Sequence, residues 1–387
     1  MITKPRALAT LAGLIALGGV ALAGCTSASP TSAASAPSSA SAAAATSPLS
    51  GAAEANPNID LGSSLGNAQA PDFRLANQFG QETSLSQFRG KVVLLSFEDS
   101  ECTTVCPLTT QAMVIAKELL GKAGDSVQLV GVDANPSATA VSDVMSYSRV
   151  HGMVNEWDFL TGSVAQLKKV WGAYHVAVQI EQGQIDHTPA LFVINPQGQE
   201  QKVYLTQMSY SGVGQSAQVV AQEVASLLPS HPKLSSLQSL AAIPPQDPTA
   251  KATLPAAGAG TPVELGPGKP RLVVFFSSWL TEVSDLPAEL KGLNAYAKAA
   301  RAQHLPGLTA VDEAVTEPSP TTVDAALKAA GPLAYPVGLD STGQLADGYG
   351  VQDQPWLVLV NAEGKVTWSH DGWLPASAIE AAAKAHS

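Results

Sequence analysis

Cysteine is the scarcest reactive residue in this chain of 387 residues: three in all, at positions 25, 102 and 106. With the first of them near the N-terminus, only Cys102 and Cys106 remain for the rest of the chain, which excludes a disulfide-stapled scaffold. Basic runs are also missing, and the formal net charge is −11. That balance argues against nucleic acid as a partner. Charged residues make up only 14% of the chain, below the usual share of about a quarter. No long apolar stretch follows Cys25, so nothing after it reads as a membrane span.

What is present at the N-terminus explains the first cysteine. Lys4 and Arg6 precede an almost unbroken run of Ala, Leu, Gly, Ile and Val over residues 7–21. The run is short for a bilayer span and has the flanks of a signal peptide. It closes on Leu22-Ala23-Gly24-Cys25, which looks like the lipobox at which bacterial lipoproteins are cleaved and lipidated. Residues 1–24 are then a signal peptide. Acyl chains on Cys25 hold the protein to a lipid membrane on its extracytoplasmic side, periplasmic or cell-surface. Residues 25–66 are rich in Ala, Ser, Pro and Gly, with Glu54 and Asp60 as their only charges. Such a segment buries too little to order itself; as a flexible tether of about 40 residues it reaches roughly 35 Å.

Two stretches of strand–helix alternation follow, at 67–230 and 255–387, joined by a Pro/Ala/Ser-rich linker over 231–254. The first opens with Pro71-Asp72-Phe73-Arg74-Leu75 and then shows the apolar strand Lys91–Phe97. A helix is expected over Pro107–Gly121, a strand over Val127–Val132, and helices near 140–150 and 163–174. Ala190–Ile194 and Lys202–Leu205 flank Asn195-Pro196-Gln197-Gly198 as a hairpin, and a last helix covers 215–228. In the second stretch the strands are Leu272–Phe276 and Leu308–Val311. The helices are Ser284–His304, 320–330 and 376–386, and Trp356–Val360 with Lys365–Trp368 form a hairpin. Pro189, Asn195 and Gly198 recur at one constant offset as Pro355, Asn361 and Gly364. The pattern is a divergent duplication of one domain, each copy an α/β unit with a mixed central sheet and helices on both faces.

The chemistry-bearing segment is Cys102-Thr103-Thr104-Val105-Cys106-Pro107, where a strand hands over to a helix. Proline suits the first helical turn, which puts Cys106 at or near the N-cap. A helix N-terminus favours a thiolate and lowers its pKa. Four-residue spacing into a helical turn brings the Cα atoms to about 6 Å, close enough for a disulfide or a shared metal. Two thiolates suit a soft ion such as Cu(I), and an added imidazole lets a site retain Cu(II). Seven histidines are candidates. His187 stands out in Asp186-His187-Thr188-Pro189, just ahead of a buried strand, although it also reads as a loop residue bonded to Asp186.

Residues 67–228 resemble the SCO/SenC family of copper proteins. The likeness rests on the PDF-x-L opening, Cys102-x-x-x-Cys106-Pro107, Val132-Asp133, and Asp186-His187 before an apolar strand. The resemblance implies a thioredoxin-like fold in which a proline at position 189, commonly cis, packs against the cysteine pair. It further implies copper ligation by Cys102, Cys106 and His187, with Asp186 and Pro189 supporting from behind, and a role in cytochrome c oxidase assembly. The copper would pass to an oxidase subunit or another copper protein. Thr103 and Thr104 stand where that family usually has Pro and Asp, and Asn135 falls in a segment where it often carries an arginine.

The C-terminal stretch resembles a TlpA-like thioredoxin domain without its cysteines. Leu280 and Val283 occupy the two thiol positions, and Asp353 matches His187. Trp279 and Trp356 flank the former site, either as core or as a recognition surface. The chain as a whole reads as two tandem thioredoxin-like domains and as a metal carrier more than an enzyme. The alternatives are a thiol–disulfide oxidoreductase using Cys102 and Cys106 as its catalytic redox pair, and a peroxiredoxin-like peroxidase suggested by Thr103-x-x-Cys106. The latter motif usually has a proline at the position that Asp99 fills.

Overall fold

The computed structural model describes residues 60–181, 184–234, 251–258 and 260–386. The expected signal peptide, the lipidation residue Cys25, most of the tether, and residues 235–250 of the linker lie outside them. No helix among the described residues is long and apolar enough to cross a membrane.

The first domain begins with an edge strand, β1 (Ser63–Ser64), a few residues ahead of the expected boundary. A small hairpin follows, β2 (Arg74–Ala76) and β3 (Glu82–Ser84). The run VVLLSFE forms β4 (Val92–Glu98), every residue of it buried, as its β-branched and apolar composition demands of a central strand. Then come α1 (Cys106–Leu119), β5 (Val127–Asp133), α2 (Val141–Val150), β6 (Trp157–Leu160) and α3 (Val164–Ala173). Ser163 caps α3 by accepting from Gln166 N, and the Gln166 side chain accepts in return from Ser163 N, a closed capping box. A hairpin absent from the sequence reading comes next, β7 (Val178–Glu181) with β8 (Gln184–His187). The domain ends with β9 (Ala190–Ile194), β10 (Glu200–Leu205) and α4 (Val213–Leu227).

In the first sheet the order is β1-β10-β9-β4-β5-β6. β4 runs parallel to β5 and antiparallel to β9, so the chain crosses over through α1 and returns by a hairpin. One face carries Val92, Leu94, Leu129, Leu191 and Val193 against α1 and α4. The other carries Val93, Leu95, Phe97, Val130 and Phe192 against α3. Helices thus cover both faces, as expected.

The second domain repeats the plan. A short ribbon, β11 (Ala252–Leu254) with β12 (Val263–Leu265), precedes β13 (Arg271–Phe276). A tight turn over Ser278–Glu282 stands where the first domain has its cysteine loop. After α5 (Leu286–Gln303), whose first turn is capped by the Asp285 side chain, come β14 (Gly307–Asp312), α6 (Pro320–Ala330) and β15 (Val337–Leu339). The short α7 (Gln344–Gly348), β16 (Trp356–Val360), β17 (Val366–Asp371) and α8 (Ala376–His386) complete it. The sheet order β15-β14-β13-β16-β17 matches β6-β5-β4-β9-β10 strand for strand. The chain is therefore two thioredoxin-type α/β units in tandem.

The copies differ in how the second sheet is covered. Leu272, Val274, Phe276, Leu357 and Leu359 pack on α5, α6 and α8, all on one face. The opposite face, with Val273, Phe275, Val311 and Val358, belongs to the same apolar cluster as α1, α4 and the first sheet. Both sheets thus have helices on both faces, the expectation for each copy, but the second sheet has only the short α7 of its own on one of them. The second sheet fills its other face with Ala346 and Tyr349 around α7 and with the first domain.

Candidate metal centre

At the end of β4 the chain turns sharply, and buried polar contacts hold the turn. The Asp99 carboxylate accepts from Glu101 N at 2.8 Å and from Asn135 Nδ2 at 2.7 Å. Asn135 also donates to Glu101 Oε2 at 3.1 Å and accepts from Ser137 N at 2.8 Å. One amide thus ties the loop after β5 to the loop that carries the cysteines. Cys102 N donates to Asp99 O at 3.1 Å, which places Cys102 above the first turn of α1.

Val105 is the N-cap of α1, and Cys106 is its first residue, followed by Pro107. An amide of that first turn, Cys106 N, points at Cys102 Sγ, 3.4 Å away, and Thr104 Oγ1 lies 3.3 Å from the same sulfur. Both cysteines are free thiols, Cys102 partly exposed and Cys106 buried. Burial raises the Cys102 thiol, but hydrogen bonds from the Cys106 thiol, Thr104 and Cys106 N outweigh it, and the net shift is downward. Burial and the neighbouring Cys102 push Cys106 well up. The sequence reading placed the helix N-terminal benefit on Cys106. The geometry gives it to Cys102, because the helix amide is aimed at the preceding sulfur.

His187 closes β8, held by its pairing with Val178, so it belongs to a strand end rather than a free loop. Its Nε2 is 3.4 Å from Cys106 Sγ and its Nδ1 is 3.2 Å from Thr188 O. A carbonyl can only accept, so Nδ1 carries the hydrogen and Nε2 presents a lone pair to the sulfur. Burial lowers the imidazole pKa, which keeps that lone pair free. Asp186, expected behind the imidazole, instead accepts from Gln179 Nε2 at 2.9 Å on the exposed side of the hairpin. The Thr188 carbonyl does the orienting. Pro189 lies next to the site, its carbonyl accepting from Thr206 N at 2.9 Å. The cis peptide expected before Pro189 is found instead in the second copy, at Gln354–Pro355.

The pairwise contacts run from Cys102 to Cys106 to His187. Among the described residues, no three His, Cys, Asp or Glu side chains are already gathered tightly enough to grip an ion. Two sulfurs and one nitrogen are a soft, three-donor set, suited to Cu(I) or Cu(II) more than to hard cations.

The sequence reading missed Glu98. It is fully buried behind the pair, and neither carboxyl oxygen has a hydrogen-bond partner; Ser96 and Cys106 are neighbours without closing a bond of good geometry. Burial drives its pKa well up, so it is held as the neutral acid. The signal was there, as an acid ending an apolar strand. Thr109, whose Oγ1 lies 2.6 Å from Thr206 Oγ1, ties α1 to the segment after β10 and gave no signal.

A strand-to-helix turn bearing two thiols is thus faced by an imidazole from the hairpin before β9. Residues 62–225 match the sequence model of the SCO1/SenC family. Over 143 residues the chain is 24% identical to the SCO1 protein homolog of Bacillus subtilis (strain 168), covering 36% of this chain and 74% of that one. It is 27% identical over 137 residues to the mitochondrial SCO2 homolog of Homo sapiens, covering 33% of this chain. The chain spans about half the length of the mitochondrial relatives it matches (50%). Among solved structures it is similar to apo Sco1 of Thermus thermophilus, at 28% identity and a TM-score of 0.38, covering 43% of this chain and 96% of that one. Bradyrhizobium japonicum ScoI with copper bound aligns at 20% identity with a TM-score of 0.36, over 42% of this chain and all (100%) of that one.

Proposed function

We propose that this protein is a copper-binding metallochaperone, anchored by lipid on Cys25 to the outer face of a bacterial membrane. It carries copper for the assembly of cytochrome c oxidase, handing it to an oxidase subunit or another copper protein. The observation that carries the reading is the lone pair of His187 Nε2 facing Cys106 Sγ at 3.4 Å. An imidazole in that position completes a three-donor set for copper and has no evident task in disulfide exchange. Copper is the cargo. Cys102 and Cys106 bind it as thiolates, releasing their protons as it enters, and His187 supplies the neutral third donor. The partial exposure of Cys102 leaves one ligand open to exchange with a recipient.

The test is an anaerobic titration with Cu(I), against a competing chelator, of the reduced full chain carrying Cys25→Ser. That variant leaves two thiols. One tightly held copper per chain, lost when Cys102 or Cys106 becomes Ser, supports the carrier reading. Failure to outcompete the chelator would sink it. The second reading, a thiol–disulfide oxidoreductase, is favoured by the unequal thiols: a partly exposed Cys102 of lowered pKa beside a buried Cys106. A chain that binds no copper but exchanges disulfides with a model thiol would move the assignment there.

A further inference from the structure

Cys106 and His187 belong to different elements, one opening α1 and the other closing β8, so their 3.4 Å approach depends on what joins those elements. Each is held locally. In the first turn of α1, Thr109 N donates to Val105 O at 3.0 Å, and Thr109 Oγ1 donates to the same carbonyl at 3.2 Å. His187 is steered by the Thr188 carbonyl, which also accepts from Ala190 N at 2.8 Å. Between the two stands Thr206, just past β10. Its N–H donates to Pro189 O at 2.9 Å, and its Oγ1 lies 2.6 Å from Thr109 Oγ1. The segment after His187 and the helical turn after Cys106 therefore meet on one residue. The chain that follows Thr206 is gripped by the second copy. Asp347 accepts from Ser209 Oγ at 2.8 Å, from Tyr210 N at 2.8 Å and from Ser211 N at 3.1 Å. Gln354 Nε2 donates to the hydroxyl of the buried Tyr210 at 3.1 Å. Gly343 lies so close that a Cβ there would collide with the Tyr210 backbone.

We infer that Thr206 is a positioning residue for copper: its hydroxyl ties the first turn of α1 to the segment behind His187, and so sets how well the site retains Cu(II). The inference deepens the carrier reading and rests on it. Thr109 Oγ1 gives its hydrogen to Val105 O, which leaves a lone pair for the Thr206 hydroxyl. The chain of bonds thus ends on the residue before Cys106. At its other end the Thr206 amide holds the Pro189 carbonyl, one peptide beyond the carbonyl that orients the imidazole. Loosening Thr206 lets His187 drift from Cys106 and leaves the two thiols in their own loop undisturbed, because Cys102 is placed by Asp99 O and Cys106 N. Two thiolates alone satisfy Cu(I), whereas Cu(II) needs the imidazole as well. The loss should therefore fall on one oxidation state. The grip of Asp347 on Ser209–Ser211 keeps Thr206 from following His187, so the second copy braces the site without touching a ligand.

The experiment is a pair of anaerobic competition titrations, with Cu(I) and with Cu(II), on the reduced full chain carrying Cys25→Ser, together with electron paramagnetic resonance of the Cu(II) form. Thr206→Val keeps the shape and the backbone N–H but removes the hydroxyl. It should weaken Cu(II) binding about tenfold, the scale of one lost hydrogen bond, and leave Cu(I) binding nearly unchanged. Its Cu(II) spectrum should become a mixture, with the imidazole bound in some molecules and not in others. Thr206→Ser keeps the hydroxyl and should restore both the affinity and the single spectrum, which a merely space-filling role would not give. Thr109→Val removes the partner hydroxyl and should match Thr206→Val, and the double variant should add nothing further. Equal losses in both oxidation states, no loss in Thr206→Val, or no rescue by Thr206→Ser would overturn the inference. Should Thr206→Val fail to fold, Thr109→Val reads the same bond from the other side. A wild type that holds no copper sinks the carrier reading and this inference with it; wild type and Thr206→Val holding Cu(II) equally well sink the inference alone.

Discussion

At the scale of single residues, the most informative atom is His187 Nε2. Its hydrogen-free state follows from the carbonyl of Thr188 on the other ring nitrogen, a contact that depends on backbone geometry alone. His187→Ala should therefore leave the fold intact and weaken Cu(II) binding severely, with a smaller loss for Cu(I), because two thiolates still satisfy the softer ion. Paired titrations in the two oxidation states check this; equal losses would mean that the imidazole is not the ligand that discriminates. Cys102 and Cys106 stood out in the sequence by their scarcity and spacing, and His187 was drawn to them only by the family resemblance. Asn135 and Thr206 did not stand out. Each acts through a partner tens of residues away, and spacing along the chain says nothing of such pairs.

At the scale of elements, the end of β5 carries a proton that burial favours. Thr161 Oγ1 lies 2.9 Å from Thr139 O and 2.9 Å from Asp133 Oδ2. The Thr161 hydroxyl donates towards both oxygens, and burial of Asp133 disfavours its charged form. Burial accordingly raises the Asp133 pKa from 3.8 to about 8. A carboxyl whose pKa is raised by folding stabilises the native state fully below its unfolded value of 3.8 and loses that contribution as the pH rises to about 8. Asp133→Asn supplies a permanently neutral group of the same shape. Relative to this variant, the wild type should lose stability between pH 5 and pH 8 by up to about 1.4 kcal/mol per pH unit. Urea melts of both proteins across that range would show it, and parallel curves would contradict the protonated assignment.

The same scale shows where element prediction succeeds and where it stops. β4, β5, β9, β13 and β16 were readable as apolar runs, and α1 from its apolar face and Pro107. β7 and β8 were not, since Val178–His187 is mostly exposed and lacks a buried face to leave a pattern. Of the next ribbon, β11 fell in what read as linker and β12 went unassigned: each is three residues long, too short to leave a pattern although Leu254, Val263 and Leu265 are buried. Sequence therefore located the cysteine loop well and left the hairpin that delivers His187 undrawn.

At the scale of the whole molecule, the two copies share a core. β13 buries both of its faces, and a strand buried on both sides reads the same whichever neighbour covers it. That is why the duplication was visible in the sequence while the joint packing was not. Phe275, Val311 and Val358 belong to one cluster with Leu108, Val220 and Val224 of the first domain. The described region should thus unfold in a single cooperative step, with tryptophan fluorescence and far-UV circular dichroism giving coincident transitions. Two separated transitions would mean that the shared cluster contributes little.

That shared cluster also bears on how such a chain can change over generations. Two copies that each keep a complete core can be shuffled, trimmed or traded like beads. Here the second copy has given one face of its sheet to the first, and deleting it would leave a greasy scar beside the cysteine loop. The pair is inherited as a unit. Neither copy can be removed without exposing apolar surface that the other now covers.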